Sequence, residues 1–114
     1  MKRQTESKTP KPPPHLGPVA RAFFMAVVDF YDLDPHQLSL LISACEAKDR
    51  SERCRAAIAV EGATTADRWG QLKPHPLLAV EAVARGQFYL GYRALGLDVM
   101  PTGNVGRPRV VGGR

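Results

Sequence analysis

The side chains of this sequence that could do acid–base, nucleophilic or metal chemistry are few and scattered. Histidines stand at His15, His36 and His75, and none has a serine, cysteine or carboxylate spaced near it in the way that nucleophilic catalysis requires. His36 falls in the first turn of an expected helix and reads as a surface residue. His75 lies between Pro74 and Pro76 and reads as a turn residue. Asp32 and Asp34 flank a turn, where a carboxylate serves better as a helix cap than as half of a catalytic pair. Cys45 and Cys54 are nine residues apart on one expected helix, or ~13 Å along its axis, too far to bridge. The Cys and His spacings match no zinc pattern. No G-x-x-x-x-G-K-S/T loop is present, so any ATP hydrolysis must belong to a partner. The expectation is a protein that is not an enzyme and needs neither cofactor nor metal.

Charge is the stronger signal. The net charge of +5 divides into +3 over residues 1–17, zero over 18–97 and +2 over 98–114. A neutral middle between two basic ends rich in proline and glycine reads as a folded body with cationic arms suited to a polyanion. Charges that merely keep unstructured ends soluble are the alternative. The candidate DNA contacts are Lys2, Arg3, Lys8 and Lys11 in the first arm and Arg107, Arg109 and Arg114 in the second. Gly106-Arg107-Pro108-Arg109 looks like the centre of an AT-hook, although Val105 stands where a basic residue is usual. Nonspecific attraction to phosphates is the simpler role.

The elements that would carry these arms are helical. A chain of 114 residues with 44% hydrophobic and 24% charged side chains fits one packed domain. Residues 1–17 hold Pro10, Pro12, Pro13 and Pro14 and almost nothing apolar, and are expected to be disordered. From Pro18 to Tyr31 every helix breaker disappears. Val19, Phe23, Ala26, Val27 and Phe30 fall at helical spacing and define an expected buried face. Asp34-Pro35 is a strong start for a second helix running to about Glu61, with Gly62 placed to end it. Its stripes, Leu38, Leu41, Ile42 and Cys45, then Cys54, Ala57 and Ile58, are separated by the charged run Lys48 to Arg53. Such a middle suits a helix that projects or meets a neighbouring subunit, or else is simply a solvated face. Residues 63–73 read as an extended loop or short hairpin, with Trp69 as an anchor against the helices. Pro74-His75-Pro76 opens a third helix in which Leu77, Val80, Ala84, Phe88, Gly91 and Leu95 recur at three- and four-residue intervals until Gly96.

The fold class expected is therefore all-α: about three helices, a long hairpin-like unit among them, as one domain over residues 18–97 with a flexible tail over 98–114. The oligomer or core face would comprise Leu38, Leu41, Ile42, Cys45, Cys54, Ile58, Leu77, Val80, Phe88 and Leu95. The longest apolar run, Ala22 to Val28, is far short of the ~20 residues that span a bilayer, and Lys11-Pro12-Pro13-Pro14 stands where a secretory signal would be apolar. No membrane association and a cytoplasmic location are expected.

From Tyr31 to Arg109 the order of features resembles the phage terminase small subunit family, in its short members without a recognisable additional domain. The resemblance rests on Tyr31-Asp32-Leu33 before a long helix, Glu61-Gly62-Ala63-Thr64-Thr65, Gly70-Gln71-Leu72-Lys73-Pro74-His75-Pro76, and Ala94-Leu95-Gly96-Leu97 followed by Pro101 and Arg107. The chain departs from the family where Asp98-Val99-Met100 separates Leu97 from Pro101; the family more often has a threonine and proline at once. The resemblance implies a non-enzymatic protein in the cytoplasm of the infected host cell. It would recognise viral double-stranded DNA, assemble as a ring and deliver that DNA to a terminase large subunit holding the ATPase and nuclease. A dimeric helix-turn-helix regulator, built from the first two helices, is the alternative.

Overall fold

The computed structural model describes residues 9–98. Helix α1 spans Pro18–Phe30, α2 Pro35–Glu61 and α3 Leu77–Ala94; between α2 and α3 lie two short strands, β1 at Thr64–Ala66 and β2 at Leu72–Pro74. The chain is thus mostly helical, and the expectation of a wholly α fold is corrected by this strand pair.

Helix α2 begins where its cap dictates. The Asp34 carboxylate accepts from the Gln37 backbone N–H while the Gln37 side chain accepts from the Asp34 backbone N–H, a reciprocal capping box with Pro35 in the first turn. Twenty-seven residues later the helix ends at Gly62, whose φ of 92° is open to glycine at little cost. Helix α3 ends in the same manner. Gly96 has φ 77°, and the Leu97 N–H reaches back to the Tyr92 carbonyl at 3.1 Å.

Both α1 and α3 run antiparallel to α2, and hence parallel to each other. The Gly17 N–H at the start of α1 donates to Asp49 Oδ1 at 2.9 Å, deep along α2, whereas the end of α1 is joined to the start of α2 by residues 31–34. The core lies at one end of the helical assembly. Phe24, Val28, Leu41, Cys45 and Leu95 are almost wholly enclosed there, and Phe23 meets Phe88 edge to face at 5.1 Å. Gly91 permits the close approach of α3 to α2: a Cβ at that position would lie 2.8 Å from the Ala44 Cβ. Burial pushes the Cys45 thiol up to about 12, aided by the neighbouring Glu46 carboxylate, so it packs as an apolar group.

Three expectations about the core need correction. Residues 9–17 are not wholly apart from the body, because Leu16 is buried, its N–H donates to the Pro13 carbonyl, and His15 Nε2 lies 2.9 Å from Glu46 Oε2. The inward face of α1 is Ala20, Phe24, Val27 and Val28; Val19, Ala26 and Phe30 point outward. Trp69 does not anchor against the helices among the described residues. It is 74% exposed at the hairpin turn, because the Asp67 carboxylate accepts from the N–H groups of Trp69 and Gln71 and fixes that turn, with the Arg68 guanidinium over the indole.

Candidate functional site

Beyond the start of α1, α2 and α3 continue as a two-helix stalk, and the junction is polar. Glu81 of α3 is only 9% exposed at its side chain and accepts from Ser51 Oγ at 2.8 Å, Arg55 Nε at 3.2 Å and Arg85 through both Nε and Nη2. Within the charged middle of α2, Ser51 and Arg50 thus meet Glu81 and Gln87 of α3, and Asp49 meets the start of α1, all in the same chain. The bidentate Arg85 contact, with Ser51 and Arg55, holds the Glu81 carboxyl down at about 2 against the desolvation that opposes it. Because native contacts favour the ionised form, this carboxylate stabilises the fold above the unfolded value of about 4.5, and that stabilisation is lost as pH falls from there towards 2. An acid titration of Glu81→Gln beside the parent chain should show the parent losing more stability over that interval. Parallel curves would mean that Glu81 is solvated.

His75 is a second polar clasp. It is buried, not a loose turn residue: Nδ1 accepts from the Leu77 N–H at 3.0 Å at the start of α3, so Nε2 carries the hydrogen that is donated to Glu61 at the end of α2. All these titratable groups are committed to structure. Among the described residues no group of three or more His, Cys, Asp or Glu side chains is placed to hold a metal ion.

The surface has a different character. Opposite its buried row of Glu81, Ala84 and Phe88, α3 turns Ala79, Val83, Gly86 and Leu90 outward at four- and three-residue spacing. Val83 is 61% and Leu90 66% exposed. Helix α1 does likewise with Val19, Ala22, Ala26 and Phe30, the last 54% exposed. A helix apolar on opposite faces is one normally buried on both. An open groove of about 350 Å³, lined by Arg50, Ala79, Val80, Val83, Ala84 and Gln87, adjoins the α3 stripe. What such surfaces can do is bury one another or a partner.

The residues expected to form the oligomer or core face divide. Leu41, Cys45, Cys54, Phe88 and Leu95 are buried inside the chain; Leu38, Ile42, Ile58 and Leu77 are half-buried; Val80, at 42% exposure, is turned to solvent. The stripe at Ala79, Val83, Gly86 and Leu90 was legible as a repeat but was hidden behind the competing inward one. Of the candidate DNA contacts, Lys11 is exposed, while Lys2, Arg3, Lys8, Arg107, Arg109 and Arg114 lie outside the described residues. The described residues carry ten basic and ten acidic side chains, so the whole net charge resides outside them. No described helix is long and apolar enough to cross a membrane.

No family model, curated protein or solved structure matches the chain.

Proposed function

We propose that the protein is a non-catalytic adaptor for viral genome packaging, a phage terminase small subunit that assembles as a ring and presents double-stranded DNA to a large subunit carrying the ATPase and nuclease. The observation that carries this is the pair of outward apolar stripes on α1 and α3, which one chain leaves in water and an assembly would cover. The sequence features of the family resemblance support it from another side. Tyr31-Asp32-Leu33 precedes the long α2, Gly62 ends it, the Thr64-Thr65 and Leu72-Lys73-Pro74 segments pair as a hairpin, and His75 clasps α3. The cationic residues at both ends supply the attraction to phosphates, around a body without net charge.

The dimeric regulator is less well supported. A helix-turn-helix sets its two helices at a steep angle, whereas α1 lies antiparallel along α2 from residue 34 to Asp49.

Native mass measurement at micromolar concentration without DNA is the test. The expected result is a multiple of the 12.5 kDa chain well above two. A strict monomer would count against the ring, a dimer would return the regulator to favour, and no DNA binding at low salt would leave a protein-only interaction module.

A further inference from the structure

We infer that two copies of this chain pair through α3, antiparallel and about a two-fold axis, so that Leu90 of each copy seats in the groove beside Ala79 and Val83 of the other. This rests on the self-assembly proposed above and names the contact that begins it.

The outward stripe of α3 is complementary to itself. Small and large residues alternate along it, Ala79, Val83, Gly86 and Leu90, and all four are exposed in the single chain. Laid against its own copy in the reverse direction and centred between Ala84 and Arg85, the stripe sets Leu90 opposite Ala79 and Val83 opposite Gly86. Each large side chain then stands over a small one. In the parallel sense, each residue would meet its like and Leu90 would abut Leu90. The open groove of about 350 Å³ lined in part by Ala79, Val80, Val83 and Gln87 lies where the partner's Leu90 arrives.

Gly86 gives independent support. Glycine inside a helix is unfavourable relative to alanine, and Gly91 shows a compensation within the chain, its close approach to Ala44. A Cβ on Gly86 would meet nothing within 4 Å, so packing within the chain gives no reason for a glycine there. The pair supplies one, because Val83 of the other copy stands over that bare backbone. Charge agrees as well. A two-fold axis brings every charge near it towards its like, and the stripe itself carries none. Arg85, next to the axis, is drawn aside to Glu81, and Arg50 at the groove is bonded to Gln87.

The fold favours this contact over one between α1 and α3. Phe23 stands level with Phe88 and Tyr92, so the α1 stripe lies farther along the bundle. Joining it to the α3 stripe of a neighbour would displace each copy along the helices, whereas a two-fold contact carries no displacement. Each pair leaves its two α1 stripes uncovered for joining pairs, and the full assembly therefore holds an even number of copies.

The test uses the full chain. Gly86→Cys chains should form covalent pairs on mild oxidation, because the two positions stand three residues of rise apart, ~4.5 Å along the axis. Ala79→Cys chains should not, since eleven residues of rise put their thiols ~16 Å apart, beyond the reach of a disulfide. The native thiols of Cys45 and Cys54 are buried and stay out of the reaction. Leu90→Ala should weaken pairing about tenfold and leave the melting temperature of the dissociated chain unchanged, since Leu90 is 66% exposed there. The contact is wrong if Ala79→Cys cross-links as readily as Gly86→Cys, or if Gly86→Cys stays uncoupled in an assembly of parent mass. It is equally wrong if Leu90→Ala assembles like the parent, or if the native mass corresponds to an odd number of copies. A parent chain that stops at cross-linkable pairs would uphold the contact and overturn the ring, and an odd-numbered ring would do the reverse, which keeps the two failures apart.

Discussion

Replacing Phe24 by alanine is expected to lower the free energy of unfolding by about 3–5 kcal/mol, a large part of the roughly 5–15 kcal/mol that holds a domain of this kind together. Phe24 has no exposure to solvent and belongs to the cluster formed with Leu41 and Cys45 of α2 and Leu95 just beyond α3. Its ring is therefore one of the main contacts that join α1 to the rest of the core. The neighbouring Phe23 is only partly buried and leans towards Phe88 and Tyr92. Phe23→Ala should cost less, because part of its surface is already in water. Urea titrations followed by circular dichroism measure both. A loss below about 1 kcal/mol for Phe24→Ala would mean that α1 is not docked as described.

Removing residues 1–8 and 99–114 together should flatten the salt dependence of DNA binding. Those segments carry Lys2, Arg3, Lys8, Arg107, Arg109 and Arg114 against Glu6, and what remains has equal numbers of basic and acidic side chains. Each phosphate contact contributes about 0.9 to the slope of log affinity against log salt. Loss of all six would therefore flatten it by about 5 and leave little binding near physiological salt. Fluorescence anisotropy with duplex DNA between low and moderate salt gives the slope directly, and native mass on the same truncated chain checks that assembly persists. An unchanged slope would transfer DNA contact to the folded body, where exposed Arg50, Arg53 and Arg68 would be the next residues to replace.

How much of this was legible beforehand depended on whether a signal was local. The ends of α2 were written in Asp34, Pro35 and Gly62, because caps act through backbone groups a few residues away. The face of α1 was only partly so, because Val19, Phe23, Ala26, Val27 and Phe30 make as good a stripe as Ala20, Phe24, Val27 and Val28. Only Leu41 and Leu95, distant in sequence, decide between them. The same ambiguity concealed the outward stripe of α3. The strand pair was one of the two readings of residues 63–73, and at three residues per strand it is too short for alternation to decide between a hairpin and an extended loop. The charged middle of α2 looked like a surface because its partner, Glu81, arrives thirty residues later.

That partner sets a height as well as a bond. Because Glu81 is gripped by Ser51 and Arg55 together, α3 cannot slide a turn along α2 without abandoning a buried carboxylate. The outward stripes of α1 and α3 are thus held at a fixed offset within each copy, with that of α1 farther along, since it is Phe23 that stands level with Phe88 and Tyr92. A partner that covers both stripes must be built to that same offset.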